Sequence, residues 1–231
     1  MVSSYTPTLA ALLSVKRDRR VPGGGIPRLL AVAQGPLSGT VHEVNTIQKI
    51  HCSTGRLPND RLDGQAATGA AVLQGMKKCS WVHLACHGTQ DDVNATNSAF
   101  LLFDGRLTLK EIMKQTFSHT ELAVLSACQT AKGDSKLPEE AIHLAAGMLM
   151  VGYGSVVGTM WSIRDDDAPI IAKEFYGYII GEAGGDSAKA AYALHNAVGH
   201  LRESSDGHGF ARWVPFIHLG VCSPSEPSTS T

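Results

Sequence analysis

Two short apolar runs in this chain each stop at a reactive side chain: Trp81-Val82-His83-Leu84-Ala85-Cys86-His87-Gly88 and Leu122-Ala123-Val124-Leu125-Ser126-Ala127-Cys128-Gln129. A continuous apolar run of this length is what a strand buried on both faces of a parallel sheet requires. Side chains at the carboxyl ends of such strands line the crevice where ligands bind, so the two runs are predicted to present His87 and Cys128 to one site. A thiol beside an imidazole pairs a cysteine nucleophile with an acid/base partner. The 40 residues between His87 and Cys128 leave room for a hairpin and a crossover helix, which neighbouring parallel strands need.

The rest of the chain alternates in the same way. Leu29 to Ala33 reads as a buried strand, and Val41, Val44, Ile47 and Ile50 recur at helical spacing in a helix ending near Cys52. Residues 55–64 read as a loop with room for a short strand, and residues 66–78 as a helix leading into the His87 run. Beyond the polar loop 89–97, Ala99 to Phe103 and the segment from Leu107 flank Asp104-Gly105, a hairpin signal. A helix over 109–114 precedes the Cys128 run. Pro138 opens a helix over 139–150, Gly152 and Gly154 close it, and a strand follows over 155–160. Helices over 168–180 and 187–202 and a strand over 216–221 complete the order. This predicts an α/β fold, a three-layer sandwich with a mainly parallel central sheet and helices on both faces. Residues 1–25, with a basic run and three glycines, read as a lead-in or linker. The domain spans 26–222, and the Ser/Thr/Pro-rich tail 223–231 is expected to be disordered.

Composition narrows the function. Lys plus Arg (20) nearly balance Asp plus Glu (21), and no basic stripe is interleaved with aromatics, which excludes nucleic acid as the main partner. No apolar stretch approaches the roughly 20 residues of a membrane span, and no signal peptide is apparent, so a cytoplasmic location is expected. Five cysteines without CxxC spacing point to reduced thiols rather than a disulfide framework or a zinc site. His83 and His87 lie four residues apart on a strand that rises ~3.3 Å per residue, too far to share a metal ion. No glycine motif opens a helix after a strand, so no nucleotide or other cofactor is expected.

Six short words in order carry a family resemblance: Leu84-Ala85-Cys86-His87-Gly88, Ser98-Ala99-Phe100-Leu101-Leu102, Leu107-Thr108-Leu109-Lys110-Glu111-Ile112, Leu125-Ser126-Ala127-Cys128-Gln129-Thr130-Ala131, Gly158-Thr159-Met160-Trp161 and Trp213-Val214-Pro215-Phe216. From about Arg28 to Val221 the chain resembles the CHAT domain, a branch of the caspase-like cysteine peptidases that include caspases, gingipains and separase. The resemblance implies a caspase-like sandwich and a cysteine endopeptidase with Cys128 as nucleophile and His87 as acid/base. It also implies that the backbone N–H groups of Gly88 and Cys128 form the oxyanion site. A protein or peptide substrate follows, as does a helical-repeat (TPR-like) regulatory region in cis or trans. The alternative is a catalytically quiet CHAT module serving interaction or signalling. Cys86, opposite in orientation to His87 on a pleated strand, reads as a structural thiol.

Trp161-Ser162-Ile163-Arg164-Asp165-Asp166-Asp167 follows the next strand at the same edge of the sheet. Its carboxylates could hold the cation of a basic P1 residue, the residue before the scissile bond. Separase resembles this segment in passing from a strand through a Trp into spaced aspartates, and cleaves after Arg. By that resemblance Asp165 and Asp167 form the P1 pocket. Equally, the acidic cluster could cap the helix that starts near Ala168.

Overall fold

The computed structural model describes residues 2–6, 27–35, 38–91, 93–126, 128–129, 141–204 and 209–222. Its centre is a six-stranded sheet built from Leu29–Ala33 (β1), Asn59–Asp63 (β2), Trp81–Ala85 (β3), Leu122–Leu125 (β7), Ser155–Thr159 (β9) and Phe216–Gly220 (β10), in the order β10-β9-β7-β3-β1-β2. All neighbours are parallel except β10, which runs antiparallel to β9. A second sheet, in the order β6-β5-β4-β8, comprises His87–Thr89 (β4), Ala99–Leu102 (β5), Gly105–Thr108 (β6) and Cys128–Gln129 (β8).

Two strands expected to be continuous are therefore divided. The His87 run breaks at Cys86 and the Cys128 run after Leu125, and the reactive end of each belongs to the small sheet. Backbone hydrogen bonding explains the change of partner. β1 accompanies β3 only as far as the Ala33–Ala85 pair, so beyond it that edge of the chain lacks a neighbour. β5 takes the vacant edge, pairing antiparallel with β4 from His87 opposite Leu101. The hairpin behind it forms at Asp104-Gly105 as the sequence predicts, with Gly105 at φ +132, a value that L side chains rarely adopt.

Alternation along the central strands sorts the core into two layers. Leu30 and Val32 pack with Val72 and Met76 of helix Gly69–Lys78 (α2), Ile112 of helix Leu109–Met113 (α3) and Met148 of helix Ala141–Val151 (α4). Leu29 and Ala31 pack on the opposite face. There they meet Val44 and Ile47 of helix Ser38–Thr54 (α1), Ile171 and Phe175 of helix Asp167–Gly177 (α5) and Ala193 and Leu194 of helix Ala190–Ser204 (α6). The three-layer sandwich read from the sequence is the one observed. A short helix, Phe210–Trp213 (α7), precedes β10.

Local chemistry adjusts the boundaries. The helix expected over 66–78 begins at Gly69 because the Thr68 side chain accepts the Ala71 N–H as N-cap, and residues 64–66 form a separate 3-10 turn. Thr108 and Glu111 form a reciprocal capping box that starts α3. Within the segment read as a lead-in, Tyr5 makes a parallel bridge to Leu219 and Ser4 Oγ donates to the Gly220 carbonyl. The basic run, the three glycines, Pro138 and the tail 223–231 lie outside the described residues.

Candidate active site

β4 carries His87 and β8 carries Cys128, and the two residues are direct partners in the parallel ladder joining these strands. Adjacent strands lie about 4.8 Å apart, so the register puts the two backbones at contact range. Gly88 stands opposite Gln129 on the same ladder and opposite Phe100 on the other side. The His87 ring is half-buried, and its Nδ1 is enclosed without a hydrogen-bond partner among the described residues. Cys128 is described through its backbone alone.

A small pocket opens beside His87, walled by Thr40 and Glu43 of α1, by Cys86 and Ser126 at the ends of β3 and β7, and by Asp165 and Ala168. The structure thus places Asp165 on the wall of the same pocket as His87. Gly39 determines how closely α1 approaches the acidic segment: a Cβ there would lie 3.0 Å from the Asp165 carbonyl oxygen and 3.1 Å from its Cβ. Gly39→Ala is therefore expected to push Asp165 away from the cavity. The structure of that variant should show Asp165 displaced by a few tenths of an ångström, with melting within a few degrees of wild type; an unmoved Asp165 would contradict the contact.

Asp167 is engaged elsewhere. Its carboxylate is fully buried and receives Nε of Arg212 at 3.1 Å on both oxygens, with a second, shorter contact from the same guanidinium to Oδ1. This hydrogen bond, with the Asp167 and Asp166 charges, raises the Arg212 pKa further. Asp166 occupies the N-cap of α5 without a side-chain capping bond. The three aspartates thus separate into Asp165 at the cavity, Asp166 at the helix start and Asp167 under Arg212.

A second pocket adjoins the first, sharing Glu43, Ser126 and Ala168 with it. At its floor lies a polar cluster absent from the sequence reading. His83 Nε2 is 3.1 Å from Glu43 Oε1, and its Nδ1 is 3.1 Å from the Tyr176 hydroxyl, with the side chains of His83 and Glu43 essentially buried. The Nε2 contact lies within ion-pair distance but off the line of a well-formed hydrogen bond. Burial first, and the Glu43 charge second, hold the Tyr176 phenol well above its ordinary pKa. The one signal for this cluster in the sequence is that Glu43 shares a helical face with Ile47 and Ile50, an acid on an apolar stripe.

The other thiols differ in environment. Cys79 and Cys86 are buried and Cys52 is exposed. Burial and the neighbouring Asp60 carboxylate push the Cys79 thiol up to about 11. With iodoacetamide at pH 8, Cys52 is expected to react readily and Cys79 and Cys86 to stay unmodified until the protein is unfolded, as peptide mapping would show. Fast modification of Cys79 in the native protein would contradict its burial.

The CHAT domain family model matches residues 3–221, and the chain belongs to that family. Solved structures agree on the fold. Separase from Saccharomyces cerevisiae, solved in complex with securin, superposes with a TM-score of 0.63 at 16% identity, over 96% of this chain and 14% of that one. The Arg-specific cysteine proteinase gingipain R (RGPB) gives 0.58 at 12% identity, over 85% of this chain and 46% of that one. The complex of the pro- and mature domains of Porphyromonas gingivalis RgpB gives 0.57 at 12% identity, over 84% and 46%. The chain therefore spans less than half the length of each, and at these identities the likeness is one of fold, that of caspase-like cysteine peptidases. No curated protein matches the sequence. No helix among the described residues is long and apolar enough to cross a membrane.

Proposed function

We propose that this domain is a cysteine endopeptidase acting through Cys128 and His87. The observation that carries the reading is the direct pairing of these residues across β4 and β8, on a sheet whose fold is that of cysteine peptidases. In this reaction the Cys128 thiolate attacks the scissile carbonyl carbon, and the N–H groups of Gly88 and Cys128 receive the developing oxyanion. The C–N bond then breaks as the His87 imidazolium protonates the departing amine. Water hydrolyses the thioester, with His87 taking up its proton. Gly88 suits its role because it lacks a Cβ that would hold substrate away from its N–H.

Asp165 supports a preference for basic P1 residues, since it is exposed at the mouth of the His87 cavity. Asp167, assigned to the same pocket by resemblance, acts in this proposal through its pair with Arg212, which anchors the start of α5 two residues beyond Asp165. The separase structure is a complex with securin, which supports a protein partner for this domain too; we infer a TPR-like region in cis or trans and a cytoplasmic setting. A peptide library with fixed P1 residues tests the assignment. Cleavage that depends on Cys128 is expected, with Arg and Lys favoured. Absence of cleavage both in the bare chain and with an added helical-repeat partner would leave a signalling module instead.

A further inference from the structure

The mechanism above makes no use of the acid at the floor of the cleft. Glu43 lines both cavities, so the pocket beside His87 and the larger one next to it form one cleft with this carboxylate between them. The far walls are apolar, with Val157, Ile171, Phe175 and Phe216 among them, and the wall at Ser126 stands two residues before Cys128 in the chain. His83 is the polar contact to Glu43 among the described residues. The other ring nitrogen of His83, Nδ1, faces the Tyr176 hydroxyl at 3.1 Å, so the imidazole is held between the phenol and Glu43.

Magnitudes separate the two acids of this cleft. Asp165 is exposed, and exposed ion pairs contribute little. Glu43 has a side chain only 4% exposed, where a matching cation gains far more and a neutral group leaves the charge without a counterpart. A long methylene stem ending in a cation fits both the apolar walls and the buried acid. Of the two natural candidates, arginine carries five N–H donors in a rigid fork and can serve Glu43 while retaining donors for a second acceptor.

We propose that Glu43 is the principal specificity residue of the cleft, receiving the guanidinium of a P1 arginine, with Asp165 as a weaker acid at the rim. The assignment to P1 rests on the peptidase reading, whereas the cation site does not. The test uses agmatine, a guanidinium on an alkyl stem, titrated calorimetrically into the full 231-residue chain carrying Cys128→Ala. Glu43→Gln in that background is expected to weaken agmatine at least about tenfold, and Asp165→Asn only a few-fold. In chains that retain Cys128, Glu43→Gln should lower the ratio of Arg-P1 to Leu-P1 kcat/KM by a similar factor.

Unchanged agmatine affinity in a folded Glu43→Gln protein would overturn the proposal, as would a larger loss from Asp165→Asn. If Glu43→Gln does not fold, Glu43→Asp, which withdraws the carboxylate by one methylene, should still weaken agmatine several-fold, and unaltered binding there would equally overturn it. Glu43-dependent agmatine binding in a chain that cleaves no peptide would sustain the cation site and remove the peptidase reading. Cleavage indifferent to P1, with agmatine binding independent of Glu43, would do the reverse.

Discussion

Exchange of His87 for alanine is expected to lower kcat/KM for peptide cleavage about 10²- to 10⁴-fold, the usual contribution of a positioned acid/base group. The melting temperature should remain near wild type. His87 is half-buried at a cavity and its Nδ1 holds no hydrogen bond among the described residues, so truncation removes little packing and orphans no partner. The loss should fall mainly on kcat, because the imidazole protonates the amine in the transition state and contributes little to ground-state binding. A variant that cleaves within a few-fold of wild type would show that the register between His87 and Cys128 does not serve catalysis.

The second large effect concerns stability. Arg212→Ala leaves the Asp167 carboxylate at 0% exposure without its counterion, and breaking a buried pair from one side typically costs 3 to 5 kcal/mol. The Arg212 side chain is 26% exposed and thus partly screened, which places the expected loss near the lower end, about 3 kcal/mol. For a domain of this size that lowers the melting temperature by roughly 6–12 °C. Arg212→Lys should recover part of the loss, since it keeps the charge but not the planar fork. Asp167→Asn should cost less than Arg212→Ala, because the orphaned guanidinium can reach water. A shift below roughly 2 °C for Arg212→Ala, on the same scale, would contradict an anchoring role for the pair.

Local signals carried much of the architecture. The apolar run at Leu29, the spacing of Val44 and Ile47, the Asp104-Gly105 turn and the two runs toward His87 and Cys128 identify the layers because each depends on neighbours in sequence. The division of those runs between two sheets was not legible, since it follows from where β1 ends against β3 and where β5 docks. The candidate site divides in the same way. His87 and Cys128 could be recognised as strand ends, and Asp165 as part of an acidic stretch after the next strand. The engagement of Asp167 by Arg212, 45 positions away, and of His83 by Tyr176, 93 positions away, depends on tertiary packing. Glu43 stood in plain view on the buried face of α1, where its charge against an apolar stripe was the available clue.

The central claim is that Cys128 is an activated thiolate addressed by His87. It is tested most directly by incubating the native chain near pH 6 with an electrophilic peptide bearing arginine at P1, then locating the adduct by peptide mapping. An unperturbed thiol, with a pKa of ~8.5, is almost wholly protonated at that pH. The account expects a single adduct on Cys128, formed well ahead of any on exposed Cys52 and much slower after His87→Ala. Equal, slow modification of Cys128 and Cys52, indifferent to His87, would contradict it.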